Sequence, residues 1–173
     1  MNFSISKLLS AARGKPPRLL ASSSLWAAGT AELHRRTERV REAGAFLIGR
    51  TGPRGSRIEK FLFYDDVDPT CFRRGIVEFD GRKLGQVWEH CRATGAKVIA
   101  DVHVHPGGYG QSESDRHNPI IAAVGHIALI LPNFAAGRPV PGRIGMYEYA
   151  GSRQWFDHSL EGRRFFRVGV WPW

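Results

Sequence analysis

The sequence predicts a single α/β domain in which a mixed sheet is flanked by helices. Three observations carry this. At 173 residues the chain has the length of one ordinary domain with room for a core. Its 42% hydrophobic content argues for a folded globule rather than a disordered chain. Segments with helical apolar spacing alternate with short β-rich runs, in the order helix, hairpin, helix, strand, helix, strands.

Residues 1–24 read as an N-terminal extension and residues 25–173 as the folded domain. Up to about Thr30 there is no acidic residue, and Lys7, Arg13, Lys15 and Arg18 are present. A transit peptide can have this composition. A secretory signal does not fit, because the apolar pair Leu8-Leu9 gives way to Arg13, Gly14, Lys15 and Pro16-Pro17. An extension that packs on the domain or docks a partner is the preferred reading. No apolar run has the length of a membrane span, and a reducing cytoplasm is the expected location.

Residues 24–43 read as a helix, with Leu25, Ala28, Leu33, Val40 and Ala43 recurring at roughly helical spacing. The run Phe46-Leu47-Ile48-Gly49 reads as a buried strand. Residues 51–56 form a turn by composition, and 58–64 alternate, so a hairpin is expected. Residues 65–75 are a polar loop. A second helix is expected over 81–94, with Leu84, Val87, Trp88 and Cys91 on one face and Gly95 at its end. Residues 97–105 read as a strand, 114–124 as a third helix and 126–131 as another strand. After the loop 133–143, residues 144–149 and 154–156 read as a closing strand pair. The aromatic tail 165–173 is expected to cover apolar surface.

Lys and Arg total 25 against 16 Asp and Glu, a net charge of +9. Such a balance suits nucleic acid, a membrane surface or an acidic protein partner. The arginines are dispersed, with no cluster larger than an adjacent pair such as Arg35-Arg36 or Arg163-Arg164, so nucleic acid is not the expected partner. Cys71 and Cys91 are the only cysteines and form no CxxC pair. They read as structural thiols.

The chemistry concentrates in His103-Val104-His105-Pro106, followed by Ser112 and Asp115. Histidines at i and i+2 on a strand project to one face. Two imidazoles and a carboxylate form the ligand set of a zinc site with an open position, where a water can become a nucleophile near neutral pH. The turn Gly107-Gly108-Tyr109-Gly110 is expected to let the backbone fold back toward the metal. Glu42, just before the apolar strand, is the candidate general base. His34, His90, His117, His126 and His158 read as bystanders.

Glu42-Ala43-Gly44-Ala45-Phe46-Leu47-Ile48-Gly49, then His103-Val104-His105-Pro106, then Ser112-Glu113-Ser114-Asp115, resemble the signature of the JAB/MPN+ (JAMM) zinc metalloproteases. The loop between His105 and Ser112 is one residue shorter than the usual family spacing. Ala45 stands where the usual Glu-x-x-Gly pattern has glycine. The resemblance implies a JAB/MPN-like, cytidine deaminase-like sandwich. It implies His103, His105 and Asp115 as ligands of one Zn2+, Glu42 as general base and Ser112 as oxyanion stabiliser, with Ser114 the fallback for Ser112. It further implies a deubiquitinase-like isopeptidase acting after the C-terminal tail of a ubiquitin-like protein or its conjugates. E1-like or E2-like proteins are the expected company, as in bacterial ubiquitin-like conjugation and phage-defence systems. The tail is expected to pair with a strand edge near the zinc, with loops 65–75 and 133–143 choosing the partner. Two other readings stand beside this: a sulfur-carrier processing protease, and a non-catalytic MPN-type binding module.

Overall fold

The computed structural model describes residues 15–170. Eight strands form one mixed sheet: β1 (Leu19–Ser22), β2 (Gly44–Gly52), β3 (Gly55–Phe63), β4 (Lys97–Val104), β5 (Ile127–Leu131), β6 (Gly145–Gly151), β7 (Gln154–Asp157) and β8 (Phe166–Gly169). Their order is β7-β6-β5-β4-β2-β3-β1-β8. The helices are α1 (Ser23–Thr37), α2 (Tyr64–Val67), α3 (Leu84–Thr94) and α4 (Glu113–His117).

The centre of the sheet is β4. It pairs antiparallel with β2 and parallel with β5, which buries it on both sides. Its residues Val102 and Val104 are fully buried in one core with Leu33 of α1, Leu129 and Met146. A second core lies under α2 and α3, where Phe46, Ile48, Tyr64, Cys71, Val87 and Cys91 pack. Sheet faces covered by apolar layers on both sides give the expected α/β arrangement.

The sheet curls. β7 and β8 are its two edges, yet only residues 158–165 join them. That connection contains the 3-10 turn Ser159–Arg164, which rises only about 2 Å per residue. Seven flat strand spacings would span roughly 34 Å. Arg18, just before β1, pairs with Glu148 of β6 at 3.1 Å.

The expected boundary at residue 24 moves. Leu19 and Ala21 are fully buried, and β1 sits parallel between β3 and β8. Four residues are too few to display a strand period in the sequence. The remainder of the expected extension, residues 1–14, lies outside the described residues, as do Trp171 and Trp173 of the aromatic tail. Phe165 and Phe166 of that tail are core residues.

Two helices are shorter than expected. α1 ends at Thr37, not 43, because Glu38 and Arg39 adopt left-handed backbone at φ 50° and 59°. The Thr37 hydroxyl ties that turn by donating to His34 O and accepting from Arg39 N–H. α4 covers only Glu113–His117 of the helix expected over 114–124. Pro119 and Gly125 follow it, and Gly125 takes φ 86°. By contrast α3 ends where expected, with Gly95 left-handed at φ 63°. Among the described residues no helix is long and apolar enough to cross a membrane.

Candidate metal centre

β4 places Asp101, His103 and His105 on one face by its two-residue period, His105 just beyond the strand end. The imidazoles of His103 and His105 converge, with their Nε2 atoms 3.0 Å apart. Asp115 reaches them from α4: its Oδ1 lies 3.3 Å from His103 Nε2 and its Oδ2 3.2 Å from His105 Nε2.

Local chemistry holds each group. Ser112 caps α4 in a capping box. Its hydroxyl accepts from the Asp115 N–H at 3.1 Å, and its own N–H donates to Asp115 Oδ2 at 2.7 Å. His105 is fixed through its backbone. Its N–H donates to Leu131 O, and its carbonyl accepts from Phe134 N–H at 2.8 Å. Asn133, Phe134 and Ala135 all adopt positive φ, between 53° and 57°. Three consecutive non-glycine residues in that region make a strained turn, which His34 steadies through a 2.7 Å contact from Nδ1 to Phe134 O.

The expected role of the glycine turn is corrected. Gly107, Gly108 and Gly110 do not use positive φ, and a Cβ on any of them would meet none of the described residues within 4 Å. The glycine that the loop requires lies elsewhere. A Cβ on Gly145 would sit 2.4 Å from Tyr109 O, the carbonyl that also accepts from Tyr147 Oη.

Glu42 is not at a helix end, as expected, but in the extended approach to β2. Its N–H donates to Gly75 O, and its Oε2 accepts from Val77 N–H, both at 2.8 Å. Its Oε1 lies 3.9 Å from His105 Nε2. Glu42, His105 and Ser112 line one groove of about 330 Å3 with Pro106, Gly107 and Gly110. Ser114 lines a separate pocket of about 50 Å3, next to His103, Asp115 and Trp155. The five expected site residues are therefore brought together, and the fallback Ser114 lies outside the groove of Glu42.

The electrostatics are those of a charged pocket. Burial works against charge on His103. The hydrogen bond and charge of Asp115, with the charges of Asp101 and Glu42, outweigh it and raise the His103 pKa. Burial likewise opposes ionisation of Asp115, but its hydrogen bonds to His103 and His105 hold the carboxyl well below the usual range.

The donor set fits a divalent transition metal. The ligand atoms of His103, His105 and Asp115 all lie within 4.8 Å of one another. Tetrahedral coordination at about 2.05 Å would set ligand atoms roughly 3.3 Å apart, close to the 3.0–3.3 Å found here. At 3.0 Å the two Nε2 atoms can share at most one proton, so removing it leaves two lone pairs facing one point.

Sequence reasoning missed a buried network behind His103. Asp101 Oδ1 lies 2.5 Å from Nε2 of His126, and Tyr64 Oη donates to Asp101 Oδ2 at 3.1 Å. His126 is thus no bystander. An acid with the same strand parity as His103 and His105 was the available signal. The two thiols behave as expected: both are free and buried, and burial pushes Cys71 up to about 12.

No protein-family model matches this sequence. Among solved structures, the solution structure of protein DSY2949 from Desulfitobacterium hafniense is similar, with a TM-score of 0.61 and 15% identity. The match covers 87% of this chain and 92% of that one. At this identity the likeness concerns the fold alone.

Proposed function

We propose that this protein is a zinc-dependent isopeptidase of the JAB/MPN+ (JAMM) type, with the corresponding sandwich fold. Its substrate would be the amide that follows the C-terminal tail of a ubiquitin-like protein. The observation that carries this reading is the convergence of His103, His105 and Asp115, with Glu42 Oε1 3.9 Å from His105 Nε2 in an open groove that Glu42, His105 and Ser112 line. Two imidazoles and one carboxylate favour zinc among the common divalent ions. Held by those three residues, zinc would polarise a water and the scissile carbonyl.

The chain's own groups account for the proton movements. Glu42 Oε2 is occupied by the Val77 N–H, so Oε1 is the oxygen available to take a proton from the attacking water. The same oxygen returns that proton to the leaving amine nitrogen as the C–N bond breaks. Ser112 Oγ accepts from the Asp115 N–H and keeps its own proton, which it can donate to the carbonyl oxygen as negative charge develops.

An extended tail needs an unpaired strand edge. β2 and β4 are both paired on two sides, so the strands that bear the site offer none. Among the described residues β7 is paired on one side only, and its Trp155 donates to Arg116 O on the helix that carries Asp115. This edge supports tail binding by strand addition beside the metal centre.

Metal analysis by mass spectrometry on wild type and Asp115→Ala comes first, followed by cleavage of ubiquitin-like fusions. About one zinc per chain, lost in the variant, with cleavage after the tail, is the expected result. Absence of zinc after remetallation would sink the reading. Zinc without cleavage of any fusion would favour the binding-module reading instead.

A further inference from the structure

Away from the metal centre, the first two turns of α1 and the loop 137–141 enclose a cavity of about 760 Å3. Its size falls within the roughly 300–1,000 Å3 typical of small-molecule sites. The apolar lining comes from Trp26, Ala27, Pro139, Val140 and Val168. The loop wall is held in place: the Trp26 indole N–H donates to Pro139 O at 2.7 Å, a buried bond, and two prolines stiffen the segment.

The charge on this lining has one sign. Arg138 and Arg163 contribute to it, and among the described residues no Asp or Glu does. Both arginines are exposed, and no ion pair among the described residues involves either of them. The first turn of α1, which forms the mouth, also carries no acidic residue.

We propose that this cavity is a binding site for an amphipathic carboxylate, an apolar chain or ring with one anionic head. The apolar body would lie against Trp26, Val140 and Val168, and the guanidinium groups of Arg138 and Arg163 would receive the head. Guanidinium groups bind carboxylates through two parallel N–H bonds. The site is independent of the proposed protease reading, because no residue of the metal centre lines it.

Titration calorimetry of the full chain with decanoate, below its micelle concentration, tests this. The expected result is saturable binding of one decanoate per chain. Arg138→Gln with Arg163→Gln should weaken it at least tenfold, Ala27→Trp should abolish it by filling the cavity, and 1-decanol should bind far more weakly than decanoate. Circular dichroism would establish that both variants fold. No saturable binding to wild type overturns the proposal. Equal affinity for decanol overturns it, as does undiminished decanoate binding in folded Ala27→Trp. Binding that emerges only when residues 171–173 are deleted would assign the cavity to the chain itself and equally overturn it.

Discussion

The Glu42 carboxylate accepts the backbone N–H of Val77 at 2.8 Å, and the Glu42 N–H donates to Gly75 O at the same distance. The segment 75–77 therefore grips Glu42 at both main chain and side chain. One carboxylate oxygen is held, and the other is left toward His105. Orientation comes first for a general base, since proton transfer demands hydrogen-bond reach.

Glu42→Gln separates orientation from proton transfer. The amide oxygen can still accept from Val77, so fold and metal content should be unchanged. Turnover should fall by at least about a hundredfold, the usual scale for losing a general base. Zinc content by mass spectrometry and fusion cleavage measure the two halves. Near-normal turnover would remove Glu42 from the reaction.

The grip on Glu42 depends on a loop that Asp68 organises. Asp68 is 2% exposed and accepts from the Thr70 N–H, the Thr70 hydroxyl and the Asp80 N–H, which closes the loop at its neck. Burial opposes its ionisation, but these bonds win and its pKa is lowered. Asp68→Ala leaves three donors without their acceptor and should destabilise the fold by about 1–3 kcal/mol. Turnover should fall further than in a surface variant of equal stability, because Glu42 loses its seat. Urea denaturation alongside cleavage kinetics checks this, and unchanged values for both would refute the role of Asp68.

Much of this site was legible in the sequence. His103 and His105 follow from strand parity and Asp115 from its place beyond the turn, while Ser112 came in through the resemblance to the JAB/MPN+ signature. Gly95 announced the end of α3 through its left-handed cap. The early end of α1 was not legible, because Glu38 and Arg39 carry the left-handed turn without a glycine. Nor was the strained turn at Asn133, Phe134 and Ala135, where contacts to His105, Gly107 and His34 outweigh local preference. β1 and β8 escaped notice because four-residue strands show no measurable period, and their parallel pairing joins Leu19 to Phe166, far apart in the chain. Asp101 and His126 lie 25 residues apart, and their pairing is set by the parallel register of β4 and β5.

The His103–Asp115 pairing gives the metal-free protein a pH signature. A raised His103 pKa means stability present below the unfolded value of about 6.5 and lost as pH rises through the folded value. A lowered Asp115 pKa means stability present above about 3.9 and lost as pH falls. The contribution is thus fullest between about pH 4 and 6.5. Metal binding has the opposite trend, because it needs both imidazoles neutral. The rise in Tm on adding zinc should therefore grow from pH 5.5 to pH 8 and vanish in Asp115→Ala. A rise that is constant across this range would exclude these imidazoles as the ligands.

Asp101 and His126 form a buried acid–imidazole pair two residues from a proposed ligand, and Tyr64 completes it. Asp101 is 4% exposed, His126 8% and Tyr64 0%. Burial, then the charge of Asp101, raises the Tyr64 pKa well above its ordinary value, so the hydroxyl keeps its proton and donates. Removing one member of a buried pair strands the other, which costs about 3–5 kcal/mol when both are charged and less when they share one proton. His126→Ala should thus destabilise the fold by roughly 3 kcal/mol, and Tyr64→Phe by about 1 kcal/mol, the loss of one hydrogen bond. Because both partners bond the same carboxylate, their effects should not add. The double variant would lose less, or more, than the sum by at least about 0.5 kcal/mol. Chemical denaturation of the four proteins reads this coupling, and strict additivity would show that Asp101 does not link the two.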